Sequence, residues 1–260
     1  MSAFSLSRRS ALLAAMGWAA SACHSRTEPA SVEADSEEDA ASEPFGGLQY
    51  ATGGDLAENE RGGTTVVLLH GFGASADDLI SLARAIAQSR TRYIVPAGPL
   101  ELPNGGRAWW PMRKRPSYSA EQVLVVPEQK LAPARSAVQG LLTSVKQRFS
   151  PESLFLIGFS QGAMLALDVA LMASVSVDRV AVLSGALLAD AVSRIATPRE
   201  THPAVFVSHG RQDPVLRFQG AEHLVDALKS QGFSVTFRPF DGGHEISPDT
   251  TDALKAFLQG

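Results

Sequence analysis

The chain has 260 residues, 45% hydrophobic and 19% charged, a length and composition that suit one large α/β domain with appendages. Arg8, Arg9 and Arg26 are three of 23 basic residues, and Glu28, Glu33, Asp35, Glu37, Glu38, Asp39 and Glu43 are seven of 27 acids, so residues 47–260 hold 20 of each. A neutral body behind an acidic stretch lacks the basic footprint that phosphate backbones require, which argues against a nucleic-acid partner.

Ser7-Arg8-Arg9-Ser10 precedes an apolar run, Ala11 to Ala20, that is too short to span a bilayer but suits an export signal over residues 1–22. The paired arginines resemble the twin-arginine signal, with general secretion as the alternative. Ala20-Ser21-Ala22-Cys23 resembles the lipobox of bacterial lipoproteins, whose cysteine is acylated. Cys23 is the only cysteine, so it has no intramolecular disulfide partner, and lipidation with membrane anchoring is the role expected of it. Residues 23–46 read as a disordered acidic tether, because Val32 and Phe45 are their only large apolar side chains. An exported protein of the bacterial cell envelope is the expected outcome.

The catalytic domain is predicted over 47–260. Thr64–Leu69 has the aliphatic pattern of a strand buried on both faces, and it ends in His70-Gly71-Phe72-Gly73, where backbone N–H groups can point into a cleft. His70 reads as a loop-ordering hydrogen-bond donor. Ser75 to Asp78 resembles a capping box before a helix with Leu79, Leu82, Ala83 and Ile86 at helical spacing. Tyr93–Pro96 is a second strand. A long loop follows from Ala97 to Pro116 with Asn104-Gly105-Gly106 and Trp109-Trp110. Two adjacent tryptophans on an extended chain point to opposite sides, so one is expected to face a cleft as a wall of the acyl pocket.

Leu131–Phe149 is helical by period. Leu154–Ala163 then carries Gly158-Phe159-Ser160-Gln161-Gly162, the G-x-S-x-G pattern of a nucleophile on a tight strand-to-helix turn, followed by a helix apolar nearly all round. Strands are predicted at Val180–Gly185 and Ala204–Ser208, and the second runs into His209-Gly210-Arg211-Gln212-Asp213. An acid just past a parallel strand lies on the same sheet edge as the elbow, which makes Asp213 the orienting acid. After a helix at Gln219–Gln231 and a strand at Ser234–Phe240, the glycine-preceded His244 is the candidate base, and a helix at Pro248–Leu258 closes the chain. Ser160, Asp213 and His244 follow the chain order of α/β-hydrolase triads. His24, His202 and His223 show no such context. With neither an H-E-x-x-H pair nor a cysteine cluster, no metal and no cofactor are expected.

His70–Gly73, Asn104–Trp110, Gly158–Ala163, His209–Val215 and Gly242–Ser247, taken in order, resemble the phospholipase/carboxylesterase family, which includes acyl-protein thioesterases. The resemblance covers about residues 64–260. It implies an α/β-hydrolase fold, a mostly parallel central sheet with helices on both faces and no large cap domain. It also implies Ser160 as nucleophile, Asp213 as acid and His244 as base, with the backbone N–H groups of Phe72 and Gln161 as oxyanion hole. Gln161 is thereby expected to act through its backbone and not its side-chain amide. Trp109, Trp110 and Leu216 are expected to line the substrate pocket. The activity implied is hydrolysis of small or single-chain acyl esters or thioesters. A peptidase or amide hydrolase on the same fold, and a non-catalytic envelope lipoprotein, remain the alternatives.

Overall fold

A computed structural model describes residues 45–260 apart from 46, 58, 113–118, 120–122, 173–175 and 198–200. The expected export signal, Cys23 and the tether lie outside the described residues, except for Phe45. That side chain is buried, with its ring 5.7 Å from Phe149 and 4.9 Å from Tyr50. Phe45, which falls within the expected tether, is thus part of the packed core, because seating one aromatic ring on two others removes its apolar surface from water.

The strands are β1 (Tyr50–Gly54), β2 (Thr64–Leu69), β3 (Thr91–Pro96), β4 (Leu100–Glu101), β5 (Arg107–Ala108), β6 (Ser153–Phe159), β7 (Arg179–Leu183), β8 (Ala204–Gly210) and β9 (Val235–Phe240). The helices are α1 (Ile80–Ile86), α2 (Glu128–Phe149), α3 (Gln161–Ala170), α4 (Ala189–Ile195), α5 (Phe218–Ser230) and α6 (Pro248–Gln259). Seven strands form one sheet in the order β1-β3-β2-β6-β7-β8-β9, parallel throughout except for β1 against β3. The expected mostly parallel sheet is therefore present.

Alternation along the central strands puts helices on both faces. Val67 and Leu69 of β2, Leu154 and Leu156 of β6, and Val205 and Val207 of β8 pack with α2, α3 and α5. Val66, Leu68, Phe155, Ile157 and Phe206 point the other way, to α1 and α6. Because both sides of each strand are covered, β2 and β6 read as continuous apolar runs.

Five elements escaped the sequence reading or differ from it. β1 (YATGG) has no apolar run, and its strand conformation comes from pairing with β3. β4 and β5 form a short hairpin inside the long loop. α4 is only seven residues long. α2 begins at Glu128, ahead of the Leu131 start, and carries Pro133 inside its first turns.

Register brings the strand ends level. Leu69 pairs with Gly158, Phe159 with Leu183, Leu183 with Ser208, and Ser208 with Arg238. The loops after β2, β6, β8 and β9 thus leave the sheet at one carboxyl edge, where a parallel α/β sheet offers its crevice.

Candidate active site

Ser160 joins β6 to α3 with φ 54° and ψ −115°, a strained region for a residue with a Cβ. The strain is imposed by close packing on either side. A Cβ on Gly158 would collide with the carbonyl of Gly162, and one on Gly162 would collide with the carbonyls of Leu69 and His70. Only glycines let strand and helix cross so near each other, and the turn between them pushes the serine out at the tip.

His244 Nε2 lies 2.8 Å from Ser160 Oγ, and His244 Nδ1 lies 2.7 Å from Asp213 Oδ2. A carboxylate only accepts, so Nδ1 carries the proton and Nε2 keeps the lone pair that faces the serine hydroxyl. The three residues predicted from chain order are therefore brought together within direct hydrogen-bonding distance.

Asp213 has a wholly buried side chain. Its Oδ1 accepts the backbone N–H of Val215 at 2.7 Å and of Leu216 at 2.9 Å. Burial acts to raise the carboxyl's pKa, but donors from His209, His244, Leu216 and Val215 together outweigh it and hold the group well below the usual carboxylate range. His209, to which the sequence reading gave no role, stands beside this acid. Its Nε2 is 3.2 Å from Asp213 Oδ2 and 3.1 Å from the Leu216 carbonyl. Both neighbours accept, so Nε2 bears the proton, while Nδ1 is buried with no partner among the described residues. The available signal was its place four residues before the acid.

The loop after β2 is held from two sides. Gly73 donates its N–H to the Arg107 carbonyl at 2.9 Å and Arg107 returns one to Ala74 at 2.8 Å. His70 is buried, with Nδ1 donating to the Gly71 carbonyl at 2.7 Å and Nε2 accepting from Gly98 N–H at 2.9 Å. Burial lowers its pKa, so the ring is neutral and its tautomer is set by its neighbours, as the loop-ordering reading expects. Phe72, between them, is exposed, and among the described residues neither its N–H nor that of Gln161 has an acceptor.

Trp109 and Trp110 do not behave as expected. Both are 1% exposed and belong to the core, so neither presents a ring to a cleft. The chain bends directly after β5, which releases the two side chains from the alternation of an extended strand. They act as a strut. Trp109 Nε1 donates to the His70 carbonyl at 2.9 Å, the Trp109 N–H donates to Gln161 Oε1 at 2.9 Å, and Gln161 Nε2 donates to the Trp110 carbonyl at 2.8 Å. Gln161 thus uses its side-chain amide after all, tying the residue after the serine to the segment that braces the β2 loop. Leu216 is corrected likewise: it is 1% exposed and engages Asp213 and His209 through its backbone, so it shapes the acid turn and offers no pocket wall.

Behind the elbow, the fully buried Asp168 of α3 pairs with Arg135 of α2 and with Arg194 of α4, the latter at 2.6 Å. Arg135 also meets Glu128, and Asp190 at 3.3 Å. Burial acts to lower the Arg135 pKa, and the bonds to Asp168 and Glu128 outweigh it and raise it. Among the described residues no group of three or more His, Cys, Asp or Glu side chains could hold a metal, and no helix is long and apolar enough to cross a membrane.

Comparison with known proteins agrees with this layout. The pattern of the Phospholipase/Carboxylesterase family matches residues 57–260. Acyl-protein thioesterase 1 homolog 1 of Dictyostelium discoideum is 28% identical over 207 residues, covering 75% of this chain and 88% of that protein. Carboxylesterase SOBER1 of Arabidopsis thaliana is 24% identical over 208 residues, covering 75% and 90%. Among solved structures, esterase PE8 superposes with a TM-score of 0.70 at 26% identity, covering 82% of this chain and 98% of its own. With its sheet order, its elbow and a family match across nearly the whole packed domain, the chain belongs to the Phospholipase/Carboxylesterase family and has the α/β-hydrolase fold.

Proposed function

We propose that this carboxylic ester hydrolase works through Ser160, His244 and Asp213 and a covalent acyl-enzyme, on small or single-chain acyl esters or thioesters. One observation carries the reading: the unbroken chain from Ser160 Oγ through both ring nitrogens of His244 to Asp213. His244 Nε2 takes the hydroxyl proton as Ser160 attacks the carbonyl carbon, and Asp213 holds the imidazole in the tautomer that can do so. The N–H groups of Phe72 and Gln161, the second at the start of α3, receive the developing oxyanion. The imidazolium returns its proton to the departing alcohol or thiol, and water, deprotonated by the same nitrogen, releases the acid.

The test combines a fluorophosphonate probe with p-nitrophenyl esters from acetate to palmitate and one matched thioester. Labelling confined to Ser160 and a loss of roughly 10⁴-fold in rate for Ser160→Ala are expected. Substantial turnover by that variant would reject the assignment. Matched anilides separate an ester hydrolase from a peptidase.

The leader motif at Arg8-Arg9 and the Ala20–Cys23 box support a second part of the proposal, an exported protein anchored through lipidated Cys23. The mature protein should partition into detergent and Cys23→Ser should release it. Equal partitioning of both forms overturns this part alone.

A further inference from the structure

On the α1 and α6 face of the sheet a cavity of about 500 Å³ lies beside the nucleophile, within the usual range for small-ligand sites. Leu79, Leu82, Phe159 and Ile246 form its apolar walls, and the exposed Ser81 and Ala85 of α1 form its rim. Gly71 links it to the reacting centre. A Cβ added to this lining residue would meet Phe159 Cδ1 at 3.2 Å and Ser160 Cβ at 3.4 Å, so the cavity wall runs next to the residue that carries the nucleophile.

Its side is set by the base. The Phe159 ring is 5.1 Å from the His244 imidazole, and Ile246 follows His244 by two residues. The cavity therefore lies against the imidazole flank of Ser160. In acyl transfer that imidazole gives its proton to the leaving atom, so the alcohol or thiol portion of the substrate must stand on this flank.

The lining also defines the chemistry of its occupant. Among the described residues no lysine or arginine lines it, so no described side chain there recognises a carboxylate or phosphate. Most of its polar groups have partners within the protein: Asp78 Oδ2 accepts the Ser75 N–H at 2.7 Å, both His70 nitrogens are bonded, and Thr251 donates to the Ser247 carbonyl at 3.3 Å, while the Ser81 hydroxyl lies at the exposed rim. A surface of this kind gains by covering methylene groups and, with the Asp78 carboxylate in its lining, offers no partner to an anion.

We propose that this cavity holds the leaving-group side of the substrate and selects an aliphatic alcohol or thiol without an anionic group there. The inference rests on the ester hydrolase reading of Ser160 and His244. Two ester series test it: acetates of alcohols of increasing length, and methyl esters of acids of increasing length. For the unsubstituted protein, kcat/KM should rise with alcohol length by up to about fourfold per methylene until the cavity is filled. Ser81→Trp and Ala85→Phe, which place bulk at the rim from exposed positions, should impose a penalty that grows with alcohol length and not with acid length. As a check independent of the variants, hexanol should intercept the acyl-enzyme. His244 takes the alcohol proton, the alcohol oxygen displaces Ser160 Oγ from the acyl carbon, the serine regains a proton, and the hexyl ester forms in place of the acid.

A penalty that grows with acid length instead, or with neither, overturns the assignment of the cavity while leaving the hydrolase intact. Absence of interception together with a flat alcohol series does the same. No hydrolysis in either series by the unsubstituted protein overturns the hydrolase reading, and the cavity proposal with it.

Discussion

His209 Nε2 stands 3.2 Å from Asp213 Oδ2, the same oxygen that accepts from His244. Asp213 therefore meets two imidazoles and two backbone N–H groups, and its ionised state and its aim at His244 are set together. Removing the His209 donor leaves the carboxylate with fewer partners and freer to rotate. Hydrogen bonds to a charged group are worth about 1.5–3 kcal/mol, so His209→Phe should lower kcat by roughly 10- to 100-fold, and His209→Gln, which keeps an N–H donor, by much less. Rate profiles against pH for the three forms check this, because a residue that only packs would not be rescued by the glutamine.

The amide of Gln161 satisfies one buried N–H and one buried carbonyl, on Trp109 and Trp110. Gln161→Ala orphans both, at about 1–3 kcal/mol each. It should lower the melting temperature and also depress kcat, because the strut that braces the β2 loop through His70 loosens. Thermal denaturation and ester turnover on the same preparation distinguish this from a purely local loss, in which stability alone would change.

Asp168 is wholly buried between Arg135 and Arg194. Asp168→Ala leaves Arg135 charged in the interior with Glu128 and Asp190 as its remaining partners, and breaking one side of such a pair costs about 3–5 kcal/mol. Urea denaturation should show that loss. A midpoint unchanged from the parent would mean that the rim acids suffice.

Two groups make stability depend on pH in separate windows. His70 has a depressed pKa through burial, so the unfolded chain takes up a proton that the folded one resists, and stability falls as pH drops below about 6.5, the ordinary histidine value. Asp213 is depressed by its donors against the effect of burial, so its contribution is full above the ordinary carboxylate value of about 3.9 and is lost as pH falls below it. Unfolding free energy measured from pH 4 to 8 should slope in the upper window, and His70→Gln should flatten that slope while lowering the whole curve. An unchanged slope in the variant assigns it to another group.

Much of the architecture is readable in the chain because its causes are local. Aliphatic runs mark β2, β6, β7 and β8, the glycines at 158 and 162 mark a turn too tight for side chains, and chain order names Ser160, Asp213 and His244. What the tertiary structure alone decided is whatever depends on partners far away in sequence. The burial of Trp109 and Trp110 turns on a bend and on Gln161, some fifty residues later. Phe45 becomes core only because Phe149 stands beside it. His209 acquires meaning from a carboxylate that also faces His244, and Arg135 from an aspartate on another helix. Periodicity reports which face of an element leaves water, but it carries no information about which buried donor meets which acceptor, and that pairing is what shapes the site around the elbow.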